Sequence, residues 1–238
     1  MTSSRLPGKV LMPLAGKSVL ERMIERHRRS KYTDEVVVAT TTNAVDDLIV
    51  AEARHLGCKY FRGSEDDVLG RLTGAAGSCG ADIVVQGMAD SPLVDWRILD
   101  RIVEKLDTEK LDFVSNELEE TFPVGFDARA FTYVALEEAN RVATEPVYRE
   151  HAGLFIYKHP ERKFKLGNIR AEGDMVWPVL RLTLDTEDDY RLISAVYEAL
   201  APENDDFSAE DVIDFLKLRP DLVAINGEVK QRTPTLPQ

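Results

Sequence analysis

The chain has 238 residues, 44% of them hydrophobic, enough for one sizeable core, since single α/β domains commonly run to about 250 residues. Its formal charge of −12 excludes a nucleic-acid polymer as the expected partner, because phosphate-backbone binding needs a basic face. Cys58 and Cys79 are too few and too far apart for a zinc site or a disulfide framework. No apolar run approaches the roughly 20 residues that span a bilayer. The opening residues lack the apolar core of a signal peptide. The expectation is a cytoplasmic protein without a membrane partner.

In chain order, the first feature is the basic loop SRLPGK, residues 4–9. Ser18-Val19-Leu20-Glu21 then has the form of a capping box, and Val19, Leu20, Met23, Ile24 and His27 share the face of the helix it opens. Residues 35–39 (EVVVA) read as a strand buried on both faces. Residues 44–56 return to helical spacing and stop at Gly57, a good residue just past a helix end. A brief strand at 59–61 and a helix over 66–78 follow. Ile83-Val84-Val85 is the next buried strand. Asp95 caps a helix with the apolar stripe Ile98, Leu99, Ile102, Val103 and Leu106.

This alternation argues for a mostly parallel sheet with helices on both faces. Residues 112–180 are less regular, rich in aromatics, Pro and Gly, and partly antiparallel in feel. Leu182-Thr183-Leu184 reads as a strand ending in Asp185. A helix follows from Thr186, burying Tyr190, Ile193, Val196, Tyr197 and Leu200. A last helix over 209–218 stops before Pro220. No repeat or linker divides residues 1–238, so a single domain is expected.

In open α/β sheets, ligands bind beyond the carboxyl ends of the strands. Three features fall there. In the opening loop, Pro7 fixes the backbone, Gly8 permits close approach, and Arg5 and Lys9 bring positive charge suited to a triphosphate. An exposed turn with solvated charges fits the same residues, and Val10 stands where a Walker A loop has Ser or Thr. The other two features are Asp90, just past the strand that begins at Ile83, and Asp185. Each aspartate equally suits a helix cap, with Asp185 and Thr186 competing for the last one. Facing a phosphate loop, the pair suits a hard divalent ion such as Mg²⁺. Arg149 and His151 suit an acidic substrate, His27 a place in the core, and Glu65-Asp66-Asp67 a solvated helix start. Residue patterns alone therefore describe an α/β nucleotide- or phosphate-binding protein.

Taken together, these residues resemble the cytidylyltransferases that activate acidic sugars as CMP derivatives. The branch they most resemble is the spore-coat polysaccharide type, related to acylneuraminate and 3-deoxy-manno-octulosonate cytidylyltransferases. The resemblance rests on the order of "SRLPGKVLMPLAGKSVLERMIER", "VVVATTTNAVDD", "FRGSEDDVLGR", "ADSPLVDW", "FPVGFDARAF", "YREHAGLFIYKHPE" and "RLTLDTEDDYRLI". It implies a Rossmann-like sandwich of the nucleotide-diphospho-sugar transferase kind. The aromatics of residues 112–180 exceed what a minor loop needs, so that segment is expected to serve substrate specificity and a homodimer. The resemblance implies that Arg5 and Lys9, with Gly8, meet the triphosphate of CTP, and that Asp90 and Asp185 hold Mg²⁺. Thr40, Thr41, Asn43, Arg62 and Gly63 would lie near cytosine and ribose, and Arg149 and His151 near the sugar acid. The implied reaction is attack by a sugar hydroxyl on the α-phosphate, releasing pyrophosphate.

The chain departs from that pattern in places. Relatives carry an apolar strand and an Ala-Arg-x-Gly-Ser type loop ahead of the RLPGK residues, of which only Ser3-Ser4 corresponds here. Met88-Ala89 precedes Asp90 where a polar residue and glycine are usual, and Tyr148 replaces a frequent aspartate. Two unpaired strand edges, a groove in the core and slow turnover are the expectation. The competing readings are a non-catalytic homologue that binds nucleotide or a protein, and a glycosyltransferase using a nucleotide-sugar donor.

Overall fold

The computed structural model describes residues 1, 3, 5–158 and 163–231. Ser4 and the end of the YREHAGLFIYKHPE block lie outside them. After the opening loop come two short paired strands, β1 (Pro13–Leu14) and β2 (Lys17–Ser18), and helix α1 (Val19–Arg28). The Ser18 hydroxyl accepts from the Glu21 amide at 3.0 Å, one half of the expected capping box, and donates to Glu52 at 2.7 Å. The face bearing Val19, Leu20, Met23, Ile24 and His27 is buried, as its spacing predicts.

Strands and helices then alternate: β3 (Val37–Thr41), α2 (Asp47–His55), β4 (Lys59–Gly63), α3 (Val68–Cys79), β5 (Ile83–Gln86) and α4 (Trp96–Thr108). Gly57 takes the left-handed φ of 58° expected beyond α2, and the Asp95 carboxylate accepts from the Arg97 amide at 2.8 Å as the cap of α4. The expected stripe of α4 is wholly buried.

Residues 112–180 are more ordered than their composition suggests. They form β6 (Phe113–Ser115), β7 (Arg129–Thr132), α5 (Tyr133–Val142), α6 (Pro146–Glu150), α7 (Leu154–Lys158) and β8 (Leu166–Asn168). Three- and four-residue strands show no periodicity in sequence. What orders them is burial: Phe113, Val114, Ala130 and Phe131 are fully enclosed. Helices α8 (Glu187–Leu200), α9 (Ala209–Lys217) and α10 (Pro220–Val223) complete the described fold. Pro220 opens α10, where its missing N–H costs nothing.

β3 and β4 pair in parallel, from Val37 opposite Lys59 to Thr41 opposite Gly63. The larger sheet has the order β5-β7-β6-β8 and is mixed, with β6 and β8 parallel and β7 antiparallel to both its neighbours. Among the described strands, β3 and β5 are each paired along one edge only. A cavity of about 750 Å³ lies between them, lined by Val37, Val38 and Ala39 on one side and Ile83 and Val85 on the other, with Met23 and His27 of α1. No described helix is long and apolar enough to cross a membrane.

The strand expected at 182–184 is not a sheet strand. Only Arg181 forms a bridge, to Val124. The Leu182 amide donates to the Val124 carbonyl at 2.6 Å and the Leu184 amide to the Asp90 carbonyl at 2.7 Å, so its hydrogen bonds go to two loops. Leu182 and Leu184 are fully buried. At about 1.5–3 kcal/mol per enclosed leucine, burial holds the segment extended without a ladder.

Candidate functional site

The opening loop turns at Gly8, whose φ of 72° places it in the left-handed region, and enters a 3₁₀ turn at Lys9. Leu6, 8% exposed, anchors the loop in the main core. The Lys9 ammonium thereby reaches across the fold. It donates to the Leu184 carbonyl at 2.7 Å and Asp185 Oδ1 at 2.9 Å, and lies 3.4 Å from Asp90 Oδ2. Arg5 pairs with Asp185 Oδ2 at 2.9 Å. Four of the residues expected at the triphosphate and metal are therefore brought together from three distant parts of the chain.

Asp185 is free for this because Thr186, not Asp185, caps α8. The Thr186 hydroxyl accepts from the Asp189 amide, and Asp189 reaches back in a full capping box. Asp189 Oδ2 also accepts from the Asp185 amide at 2.9 Å. Arg181 joins the group, donating to Asp185 Oδ2 at 2.8 Å and to Asp189 Oδ1 at 2.9 Å. Burial pushes the Asp185 carboxyl up, but hydrogen bonds and charge from Lys9, Arg181 and Arg5 outweigh it and hold it below the ordinary carboxylate range. Sequence reasoning missed both Arg181 and Asp189. The T-x-x-D spacing after Asp185 was the available signal for Asp189; nothing marked Arg181.

A divalent cation fits this place, since the Lys9 ammonium already stands as a cation among two carboxylates and a carbonyl. Among the described residues no cluster of three or more His, Cys, Asp or Glu is placed to hold a metal. An ion here would keep several positions for water and phosphate oxygens, as Mg²⁺ usually does.

Thr40, Thr41, Asn43, Arg62 and Gly63 gather at the carboxyl ends of β3 and β4. Asp46, unnoticed in the sequence, organises them by accepting from the Thr40 and Thr41 hydroxyls at 3.0 and 2.6 Å and from the Met1 ammonium at 2.8 Å. Burial raises its pKa, but these bonds prevail and bring it to about 2. Arg62 donates to the carbonyls of Thr41 and Asn43 and pairs with Asp47 at 2.6 Å. The Gly8 amide donates to the Met1 carbonyl at 3.4 Å, which links this group to the Lys9 loop.

Arg149 lies in α6 and His151 just after it. The Arg149 guanidinium is held by Asp67, the cap of α3, by Asn140 Oδ1 at 2.8 Å and by the carbonyls of Asn140 and Ala143. It ties α3 to α5 and makes no described contact with the Lys9 cluster. His151 is half-buried at the end of α6. Tyr148 is buried, edge-on to Phe155.

A further polar group sits beside Asp90. Arg129 binds Glu117 through two nitrogens, at 2.7 and 2.6 Å. Asp127 Oδ2 accepts from the Gly125 amide at 3.1 Å. Gly125, at φ 106°, packs so closely that a Cβ would lie 2.4 Å from the Leu182 carbonyl carbon. Burial, then the charge of Glu117, pushes the Asp127 carboxyl up to about 7.

Residues 1–211 match the family model described as cytidylyltransferase. The chain belongs to the cytidylyltransferase family. It is thus a nucleotidyltransferase. This cytidylyltransferase is 32% identical over 228 residues to the spore coat polysaccharide biosynthesis protein SpsF of Bacillus subtilis (strain 168), covering 93% of this chain and 92% of that one. Its fold is similar to that of a cytidylyltransferase from Leptospira borgpetersenii serovar Hardjo-bovis, with a TM-score of 0.86 and 33% identity over 94% of this chain and 92% of that one. A CMP:2-keto-3-deoxy-manno-octonic acid synthetase complexed with CTP shares the fold at a TM-score of 0.61 and 18% identity, over 82% of this chain and 94% of that one.

Proposed function

We propose that this nucleotidyltransferase uses CTP and Mg²⁺ to convert an acidic sugar of the nonulosonate or octulosonate type into its CMP derivative, for a surface polysaccharide. The observation that carries this reading is the convergence of Arg5, Lys9, Asp90 and Asp185 at one point, although 176 residues separate Lys9 from Asp185.

In this reading Arg5 and Lys9 hold the β- and γ-phosphate oxygens, and Asp90 and Asp185 hold the ion. When bound, the ion neutralises charge on the phosphates. The loop at Gly8 lets the backbone approach the triphosphate, and Thr40, Thr41, Asn43, Arg62 and Gly63 flank cytosine and ribose. Binding in line with the acceptor hydroxyl, and not a covalent intermediate, supplies the rate enhancement. Because Arg149 is committed to Asp67, His151 is the residue of that pair left to face the sugar acid. CTP is made in the cytoplasm, and the free thiols of Cys58 and Cys79 suit that compartment.

A homodimer through residues 112–180 belongs to the same proposal. Val176 and Val179 in that stretch are 51% and 85% exposed, which supports an apolar contact there. Sedimentation equilibrium tests it: a clean 26.7 kDa monomer at micromolar concentration removes the dimer.

The activity is tested by pyrophosphate release from CTP and from ATP, with a panel of acidic and neutral sugars, with and without Mg²⁺. The expected result is release that needs CTP, the ion and an acidic acceptor. Equal release from both nucleotides, or release without metal, overturns the reading.

A further inference from the structure

Asp185 carries three cations, and they are held differently. Arg181 is 7% exposed and locked by Asp189, which is itself fully buried. Lys9 and Arg5, by contrast, come from the loop around Gly8, and Arg5 is 26% exposed. The place the Lys9 ammonium fills has three hard oxygens: Leu184 O at 2.7 Å, Asp185 Oδ1 at 2.9 Å and Asp90 Oδ2 at 3.4 Å. A carbonyl and two carboxylates are the donors that Mg²⁺ and Mn²⁺ prefer.

The formal charges of Arg5, Lys9 and Arg181 cancel those of Asp90, Asp185 and Asp189. A divalent ion added beside Lys9 leaves an uncompensated double positive charge in a half-buried place. A triphosphate offsets that charge and offers oxygens to both loop cations.

We propose that the Lys9 ammonium is the resident counter-ion of the divalent-cation place formed by Asp90, Asp185 and the Leu184 carbonyl, and that a triphosphate admits the metal by drawing Lys9 and Arg5 onto its own oxygens. Metal and nucleotide then favour each other's binding, and by linkage the coupling is the same in both directions. Arg181 stays on Asp185 throughout and keeps the carboxylate aimed. This inference rests on the assignment of ion and phosphates above.

Binding of Mn²⁺ alone, without nucleotide, tests it through the fall in the free-ion electron paramagnetic resonance signal. The wild-type chain is expected to bind Mn²⁺ weakly. Lys9→Met removes the ammonium and should tighten binding of the bare ion by at least about tenfold, the change that 1.4 kcal/mol produces. The gain must vanish in Lys9→Met/Asp185→Asn. Lys9→Gln serves as a second neutral variant, with circular dichroism checking that both keep the fold.

If neither neutral variant binds Mn²⁺ more tightly than wild type, or if the gain survives loss of Asp185, the proposal is wrong. Such a failure is distinct from failure of the functional reading. Metal-dependent, CTP-selective pyrophosphate release by the wild-type chain is measured independently and can stand while the exchange at Lys9 falls.

Discussion

Arg181 holds two carboxylates with one guanidinium, donating through Nε to Asp189 Oδ1 at 2.9 Å and through the guanidinium terminus to Asp185 Oδ2 at 2.8 Å. Asn226, later in the chain, closes the arrangement, donating to Asp189 Oδ1 at 2.8 Å and to the Arg181 carbonyl at 3.0 Å. Arg181→Met leaves Asp189 buried without its counter-charge, a loss of about 3–5 kcal/mol. The expected result is a fall in Tm of at least about 6 °C, with a smaller fall for Arg181→Lys. Thermal unfolding at pH 7 decides it; an unchanged Tm in Arg181→Met contradicts this account.

His27 lies in the wall of the cavity between β3 and β5, with Nε2 buried and without a hydrogen-bond partner among the described residues. Burial lowers its pKa to about 4. The unfolded chain takes up a proton on this imidazole near its ordinary value, and the folded chain does not until pH 4. Its contribution is therefore present above about 6.5 and is lost as pH falls toward 4, by on the order of 2–3 kcal/mol. His27→Leu should lose less stability between pH 7 and pH 4.5 than the wild type. Denaturant titrations at the two pH values give the comparison, and parallel losses remove His27 as the cause.

Asp127 has the opposite sign. Its folded pKa of about 7 lies above the ordinary value, so its favourable contribution is complete below about pH 4 and is lost as pH rises through 7. Asp127→Asn should therefore stabilise the protein at pH 8 relative to the wild type and do much less at pH 4. A difference of roughly 4 °C in Tm or more at the higher pH is expected. A variant equally stable to wild type at both pH values shows that Asp127 ionises without penalty.

Arg149 should behave as a tie between helices. Arg149→Met removes its bonds to Asp67, Asn140 and Ala143 and should lower Tm by several degrees. With Asp67 and Arg149 partly exposed, the loss is on the order of 1–3 kcal/mol and not that of a sealed ion pair. The ratio of kcat/KM for acidic over neutral acceptors should stay unchanged. A selective loss for acidic acceptors with normal Tm places Arg149 at the substrate instead.

Gly125→Ala should be among the most damaging single-methyl changes. The added carbon meets backbone of Leu182 and Thr183 at 2.4–2.7 Å, in a φ region that L residues avoid. It forces the residue 123–128 loop off the segment that carries Asp185. Loss of soluble folded protein, or a Tm at least about 8 °C lower, is expected.

Helices with full apolar stripes were legible in the sequence. The spacing of Ile98, Leu99, Ile102, Val103 and Leu106 needs only the 3.6-residue period, and the cap at Asp95 and the stop at Gly57 are equally local. The strands of residues 112–180 were not legible, because Phe113–Ser115 and Arg129–Thr132 are too short to carry a pattern and owe their pairing to long-range burial. Lys9, Arg5, Asp90 and Asp185 stood out as residues of the right chemistry near strand and loop ends. Their meeting was implied only by the family resemblance, because no local rule spans the chain from residue 9 to residue 185. The choice between Asp185 and Thr186 as helix cap was open for the same reason. Either side chain can accept an α8 amide, and it was Arg5 and Lys9 from the other end of the chain, with Arg181 four residues away, that took Asp185 and left the cap to Thr186. Arg149 shows the same dependence: its charge was legible, and only the fold brings Asp67 and Asn140 within its reach. Residue type and periodicity are properties of neighbours in the chain, whereas which charge meets which is decided by burial of the whole.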